Sequence, residues 1–139
     1  MDNSRQHIIK EIAQELDCGF DCYYNSKTDE VIGIPNFAQM TDEETFNEAF
    51  GADLKKIETQ KEEFIKFEVL ESFESFKIME RFVEQLSDKN LQSELENVLA
   101  NKKPFKNFKY LIDHSDYRQD WFDFKLKELE KTVESQLNR

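Results

Sequence analysis

The fold is decided by residues 64–112, which read FIKFEVLESFESFKIMERFVEQLSDKNLQSELENVLANKKPFKNFKYLI. The segment Phe64–Phe67 is short and β-prone, and its length and flanks predict a strand. Beyond it, apolar residues recur at the spacing of an α-helix and predict three amphipathic helices in succession. We expect the apolar faces of these helices to form most of the core.

Each of the three predicted helices begins at a residue suited to a helix start. Ser72 begins the first, Asp88 can cap the second, and Pro104 fits the first turn of the third, where its missing N–H costs nothing. The apolar positions are Phe73, Phe76, Met79, Phe82, Val83 and Leu86 in the first helix, Leu91, Leu95, Val98 and Leu99 in the second, and Phe105, Phe108 and Ile112 in the third.

The chain before this stretch predicts a helix followed by a β-hairpin. Ser4 can cap the helix, and Gly19 suits the position just after its end, where a left-handed conformation is common. The β-prone runs Phe20–Tyr24 and Val31–Ile34 flank a polar turn, and Pro35 ends the second run because it lacks a ladder N–H. With Phe64–Phe67, the hairpin predicts a sheet of about three strands with helices on one face.

Two further helical regions are predicted outside the central stretch. Thr41 and Glu44 resemble a capping box that opens a short helix ending at Gly51, and residues 52–62 are expected to form a loosely held helix. The loop Asp113–Asp116 leads to a last helix, whose predicted core register is Phe122, Leu126, Leu129, Val133 and Leu137.

These elements define an α+β class: a small antiparallel sheet near the N-terminus packed with a helical C-terminal half. At 139 residues with 13 phenylalanines, residues 1–139 are expected to form a single domain with a packed core. The chain contains no apolar run long enough to span a membrane, and its acid-bearing amphipathic N-terminus does not read as a signal peptide. We therefore expect a cytoplasmic protein.

The net charge of −11 is unevenly distributed. Residues 1–100 carry 10 basic and 23 acidic side chains, whereas residues 101–139 carry 9 basic and 7 acidic ones. The broad negative field opposes nucleic-acid binding, which rests on positive potential, and it favours a basic protein partner. An anion site would therefore have to be local, in the C-terminal part.

Several motifs resemble a bacterial family of unknown function, the uncharacterised protein family (UPF) 0158. They are Tyr24 with Thr28, Glu30 and Val31; the MERFVEQL block Met79–Leu86; the AxxxxPFKNFKYLI block from Ala100; and the pair Trp121–Phe122. This chain has Asn101, Lys102 and Lys103 where such proteins usually show glycine and arginine. The resemblance implies a small cytoplasmic α+β protein and supplies neither an activity nor catalytic residues.

The segment Asn101–Tyr110 is the best candidate for a binding site. Four lysines occur there without an acid and are interleaved with aromatic residues, a combination that can hold phosphates and stack bases: Lys102, Lys103, Lys106 and Lys109. Lys106 opposes the helix dipole in the first turn of the predicted helix, and a bound anion would relieve that conflict. The alternative is that the phenylalanines belong to the core and that Lys102 and Lys103 complement the end of the preceding helix.

A second candidate surface is aromatic. Trp121, with Tyr117, Phe122 and Phe124, makes an aromatic excess that one helix face cannot bury. We expect Trp121 and Phe124 either to pack under the N-terminal sheet or to form an interface, which would also include Tyr117. A homodimer is the simplest assembly that such an interface would serve.

Catalytic and metal sites are weakly indicated. Cys18 and Cys22 could make a zinc set with His7 and His114, although small buried residues suit the C-x₃-C spacing better. The run from His114 to Asp116 holds three residue types of a hydrolase triad, but neighbours in sequence cannot face one another as a triad requires, and helix capping is favoured. Three glycines allow no glycine-rich phosphate loop, and we predict neither a cofactor nor a metal.

The sequence therefore favours a non-catalytic interaction or regulatory module that recognises a basic partner through its acidic surface. The alternative is a nucleic-acid or phosphoanion binder acting through the lysine segment. An enzyme with an unrecognised site is the third class.

Overall fold

A computed structural model of the chain describes residues 3–35 and 42–138, with side chains from Arg5 onward. The elements in chain order are α1 (Asn3–Asp17), β1 (Phe20–Asn25), β2 (Val31–Pro35), α2 (Glu43–Thr59), β3 (Phe64–Phe67), α3 (Ser72–Glu84), α4 (Lys89–Leu99), α5 (Pro104–Asp113) and α6 (Arg118–Leu137). The predicted α+β class is confirmed, with the sheet near the N-terminus and a mostly helical C-terminal half.

The chain forms two compact units. The N-terminal unit contains the residues up to Val69 together with those from Leu129 onward, and the helical unit is Leu70–Glu128. Helix α6 begins in the helical unit and ends in the N-terminal unit. Folding of the whole chain as a single domain stays a prediction.

The sheet of the N-terminal unit has the strand order β2-β1-β3, and both pairings are antiparallel. In the register of the sheet, Tyr23 on the central strand pairs with Ile32 of β2 on one side and with Lys66 of β3 on the other. The side-chain amide of Gln136, near the end of α6, donates a hydrogen bond of 2.7 Å to the backbone carbonyl of Lys66. The predicted hairpin and third strand are both present.

The turn between β1 and β2 is organised by Asn25, which is fully buried. Its side-chain oxygen accepts hydrogen bonds from the backbone N–H groups of Lys27 and Thr28 at 2.8 and 3.2 Å. The Tyr24 hydroxyl donates to the carboxylate of Asp29, which has the left-handed φ of 63°. One buried amide thereby satisfies two backbone donors of a turn that is longer than the tightest hairpins.

Helices α1 and α2 pack on opposite faces of the sheet, so the prediction of helices on one face was wrong. Glu15 of α1 lies over Gly33, where an added Cβ would collide with the Glu15 carboxylate. The other face carries Ile32 and Ile34, which cluster with Phe46 and Ile57 of α2. Alternate β-strand residues point to opposite faces, so a five-residue strand can support both contacts.

The predicted helix boundaries in this unit are partly correct. Gly19 follows α1 with a φ of 88°, as expected for a residue after a helix end. The predicted cap by Ser4 lies outside the described side chains, and Thr41 lies outside the described residues. The N-cap of α2 is Asp42, whose carboxylate accepts a 2.7 Å hydrogen bond from the Thr45 N–H.

Helix α2 does not end at Gly51 but continues to Thr59, which corrects the predicted break. Gly51 has helical neighbours on both sides, and apart from these neighbours and the nearby backbone of α2, no atom of the described residues lies within 4 Å of the position its Cβ would occupy. Burial of Ile57 and contacts of Leu54 with the cluster hold the second half of the helix on the sheet. Packing therefore outweighs the helix-breaking tendency of one glycine, which is about 1 kcal/mol.

The helical unit is built around buried residues from α3, α4 and α5, namely Met79, Phe82, Val83, Leu86, Leu95, Phe108 and Ile112. Its helices begin where the sequence predicts, at Ser72, after Asp88 and at Pro104. The Asp88 carboxylate accepts a 3.1 Å hydrogen bond from the Leu91 N–H. The N-cap of α3 is Glu71, whose backbone N–H donates a 3.3 Å hydrogen bond to the carboxylate of Glu74, and the N-cap of α5, Lys103, makes no side-chain capping hydrogen bond.

Three aromatic residues depart from the predicted core register. Phe73 is 59% exposed and Phe105 is 43% exposed, although both lie in helical register with buried residues. In α6, Trp121 and Phe124 pack against the core of the helical unit, whereas Phe122 lies beneath the Arg118 guanidinium, 4.6 Å from its ring centroid. The predicted register is therefore wrong in the first turns of α6, where Trp121 and Phe124 pack against the core instead of Phe122.

In the described part of the chain, no helix combines the length and the apolar character needed to cross a bilayer.

A pair of glycine substitutions tests the helical continuity of α2. Gly51→Ala should raise the free energy of unfolding by about 0.5–1 kcal/mol, because alanine favours a helix interior and the site has open space. Urea denaturation followed by circular dichroism measures the change.

Gly19→Ala is the matched control. The same substitution at a φ of 88° should lower stability by about 1 kcal/mol. A destabilised Gly51→Ala would show that the helix is interrupted at this position.

Candidate functional site

The lysine segment Asn101–Tyr110 covers the loop after α4 and most of α5. Lys103 is the N-cap of α5, with a left-handed φ of 53°, and its own side chain makes no capping hydrogen bond. Pro104 follows at the first helical position, and the Asn107 side chain donates a 3.2 Å hydrogen bond to the Lys102 carbonyl. The loop is thus held in shape, while the N-cap side chain leaves the first backbone N–H groups of α5 uncapped.

The four lysines of the segment are exposed, but they are not equivalent. Lys109 forms an ion pair of 2.9 Å with Asp113, which also pairs with Arg118 at 3.3 Å. The hydrogen bond from Lys109, with the charges of both cations, holds the pKa of Asp113 below its usual range. Within residues 3–35 and 42–138, no acid pairs with Lys102, Lys103 or Lys106, so these three keep their charge available.

The aromatic residues of the segment are more exposed than the sequence suggests. Phe108 is 2% exposed and belongs to the core, but Phe105 and Tyr110 are 43% and 62% exposed. Phe105 contacts the ring of Phe76 edge-on at 6.3 Å, and Tyr110 lies against His114 at 4.3 Å. One ring beside the unpaired lysines is therefore accessible to a planar ligand.

A cleft of about 300 Å³ in the helical unit was not predicted from the sequence. It lies between the end of α3 and the first half of α6, and we call it the α3–α6 cleft. Its lining residues are Phe82, Gln85, Leu86 and Ser87 from the α3 side, and Tyr117, Asp120, Asp123, Phe124 and Lys127 from the α6 side. Because Tyr117, Asp120, Phe124 and Lys127 recur at steps of three and four residues, they form one stripe along α6.

The α3–α6 cleft combines apolar and acidic groups. Phe82 and Leu86 are buried, and the ring of Phe124 lies 5.4 Å from that of Phe82. Asp120 is exposed, and Asp123 accepts a 3.0 Å hydrogen bond from the side chain of Gln119. Across the described ranges, neither carboxylate has a cation within 4.0 Å, and Lys127 is the single basic residue among those lining the cleft.

The three residues of the predicted aromatic interface occupy different positions. Trp121 packs between Phe82 and Phe108, with ring centroids 5.3 and 4.9 Å away. Tyr117 and Phe124 are half-buried and line the α3–α6 cleft. Core packing accounts for Trp121, while the interface and the homodimer stay predictions.

The cysteine and histidine residues do not assemble into a metal site in the described part of the chain, where no group of three or more metal-binding side chains occurs. Cys18 is exposed, whereas Cys22 is fully buried on the central strand. Burial, followed by the negative charges of Glu15 and Glu11, raises the pKa of the Cys22 thiol to about 12. The buried thiol is therefore neutral and unreactive near neutral pH.

The run from His114 to Asp116 forms local hydrogen bonds. The Ser115 hydroxyl donates to the Ile112 carbonyl at 2.8 Å and accepts a hydrogen bond from the Tyr117 N–H at 3.1 Å. A ring nitrogen of His114 lies 2.7 Å from the Tyr110 carbonyl. These contacts close α5 and open α6, which agrees with the capping interpretation of the sequence.

The family of the protein follows from comparison with known sequences. The model of the uncharacterised protein family UPF0158 matches residues 4–137, and the chain belongs to this family. A related protein of Pseudomonas aeruginosa, named UPF0158 protein PA5073, is 27% identical over 74 residues. That alignment covers 52% of this chain and 48% of the relative, and no solved structure matches the chain.

The contrast between the two thiols can be measured directly. Iodoacetamide at pH 8 should modify Cys18 and leave Cys22 unmodified, because the Cys22 thiol is buried and has its pKa raised to about 12. Mass spectrometry of the intact protein should show one adduct under native conditions.

Unfolding in urea before alkylation is the control and should give two adducts. Equal labelling of both cysteines in the native protein would contradict the burial of Cys22.

Proposed function

We propose that this UPF0158 protein is a non-catalytic interaction module that binds a basic protein partner. The observation that carries this proposal is the excess of acidic side chains without cations. At the start of α2, for example, Glu43, Glu44 and Glu48 are exposed and border an open depression. No ion pair joins these three to a basic residue of the described chain.

Acids of this kind have two physical consequences. In the first turn of α2, Glu43 and Glu44 complement the positive end of the helix dipole, so their presence is compatible with stability. Their uncompensated charge also attracts a basic surface at a distance, which accelerates association and selects against acidic partners. The second consequence suits a module that recognises its partner by charge.

The non-catalytic part of the proposal is supported by the local use of the reactive side chains. The Ser115 hydroxyl is engaged in capping contacts, and Cys22 is buried as a neutral thiol. A nucleophile is activated by an adjacent base or by a lowered pKa, and the pKa of the Cys22 thiol is raised.

The proposal predicts salt-sensitive association with basic chains. A decalysine peptide should bind the protein, and the triple variant Glu43→Gln/Glu44→Gln/Glu48→Gln should lower the association rate about three- to tenfold. Stopped-flow fluorescence at 20 and 500 mM NaCl measures the rate and its salt dependence.

Glu80→Gln/Glu94→Gln/Glu96→Gln is the matched control, because it removes the same charge from exposed acids of the helical unit. It should change the rate less than the α2 variant does. An association rate that is independent of salt and of the α2 acids would refute the proposal.

The second candidate function is the binding of a nucleic acid or another phosphoanion by the lysine segment. Two observations favour it: the uncapped start of α5 next to Lys102, Lys103 and Lys106, and the exposed ring of Phe105. Phosphates suit a positive helix end with nearby lysines, and bases stack on exposed aromatic rings. Lys109 contributes less because Asp113 already pairs with it.

A fluorescent single-stranded oligonucleotide tests this second function. Binding should fall steeply with salt and be lost in Lys102→Ala/Lys103→Ala/Lys106→Ala, as measured by fluorescence anisotropy. The control Lys10→Ala/Lys55→Ala/Lys61→Ala removes three exposed lysines elsewhere and should bind normally. If the two triple variants bind equally, the lysine segment is not the site.

A further inference from the structure

We propose that the α3–α6 cleft is the slot for a single lysine or arginine side chain of the basic partner. This inference rests on the proposed function, since it assumes that the partner is a basic protein. It adds a site that the charge excess alone does not locate. The site is defined by its volume, its apolar lining residues and its two carboxylates.

The apolar part of the lining suits an aliphatic stem. Phe82, Leu86 and Phe124 contribute apolar surface to the cleft, and the stems of lysine and arginine bury along such surfaces while their charged heads stay hydrated. A volume of about 300 Å³ lies at the lower limit of ligand sites, which span roughly 300–1,000 Å³. The space therefore suits one long side chain better than a cofactor.

The electrostatics of the cleft favour a cation. Asp120 and Asp123 lie three residues apart on α6, and no basic side chain in the described ranges neutralises either of them. The C-terminal end of α3, at Glu84 and its cap Gln85, adds the negative end of a helix dipole to the same cleft. The positive charge of Lys127 offsets part of this negative charge, so the lining of the cleft carries a net charge that is negative but small.

The aromatic residues add selectivity for organic cations over metal ions. Tyr117 and Phe124 line the cleft, and aromatic faces attract guanidinium and ammonium groups. The helical unit already forms such contacts elsewhere: the Arg118 guanidinium lies over the Phe122 ring, and the Lys125 ammonium is 5.7 Å from the Trp121 ring centroid. In the described part of the chain no group of three or more metal-binding side chains occurs, and two carboxylates alone would leave a metal ion with mostly water as its ligands.

Substitution of Lys127 should change the affinity in the direction opposite to substitution of the two aspartates. Its ammonium competes with a bound cation, so Lys127→Met should tighten binding about threefold. Asp120→Asn/Asp123→Asn should weaken binding about tenfold or more, since both charges that face the ligand are lost. A merely structural role of these residues would not move the affinity in opposite directions.

The experiment uses the peptides acetyl-Gly-Arg-Gly-amide and acetyl-Gly-Lys-Gly-amide with the full chain. The control peptide carries citrulline, which has the shape of arginine without its charge. Fluorescence of Trp121, whose ring contacts Phe82 at 5.3 Å, and shifts of the cleft amides in NMR spectra report occupancy. Free agmatine tests whether the side chain alone is sufficient.

Binding of the arginine and lysine peptides in the millimolar range, at least tenfold weaker binding of the citrulline peptide, and opposite effects of the two variants would support the cleft. Equal binding of the citrulline peptide, or shifts confined to other residues, would overturn it. If decalysine binds the wild-type protein and the Asp120→Asn/Asp123→Asn variant equally, the cleft proposal fails while the proposed function stands. If decalysine binds neither, both fail.

Discussion

The packing of Phe82 is the contact on which the helical unit depends. Its ring is almost completely buried and meets Trp121 and Phe124 of α6 at centroid distances of 5.3 and 5.4 Å. Such contacts add about 0.5–1.5 kcal/mol each to the burial of the rings. They also hold α6 against α3. The α3–α6 cleft adjoins this contact, since Phe82 and Phe124 line it together with the polar residues Gln85 and Ser87.

The helical unit carries a positive surface, the lysine segment, and a negative one, the acids of α6. Both arise because the lysines of the segment and the acids of α6 are separated along the sequence of this unit. The lysine segment follows α4 without an acid, and the acids of α6 begin only at Asp120. Asp113 neutralises Lys109, so the unpaired cations of the lysine segment are Lys102, Lys103 and Lys106, around the start of α5. The protein can therefore present a local positive surface although its total charge is −11.

The sequence predicted where helices begin better than it predicted which residues of each helix are buried. Helix starts at Ser72 and Pro104 were predictable because capping and proline geometry are local. The continuation of α2 through Gly51 was not, because it depends on how Ile57 packs on the sheet. The register of α6 failed for a similar reason: Trp121 and Phe122 are adjacent, and only contacts with Phe82 and Phe108 decide which ring is buried.

The candidate sites show the same difference between what the local sequence indicates and what only tertiary contacts reveal. The lysine segment was visible as a run of charges, but the exposure of Phe105 and the pairing of Lys109 required coordinates. The α3–α6 cleft combines residues about 35 positions apart in sequence, so no local pattern could have revealed it. The spacing of Tyr117, Asp120 and Phe124 on one stripe was the single available indication.

The hydrogen bond from Gln136 to the carbonyl of Lys66 has a consequence for aggregation. Strand β3 is an edge strand, and unpaired backbone groups on such an edge can recruit strands from other molecules. The amide of Gln136 occupies one of these acceptors, and the exposed ammonium of Lys66 adds charge repulsion between identical edges. The end of the last helix thereby protects a four-residue edge from intermolecular β-pairing.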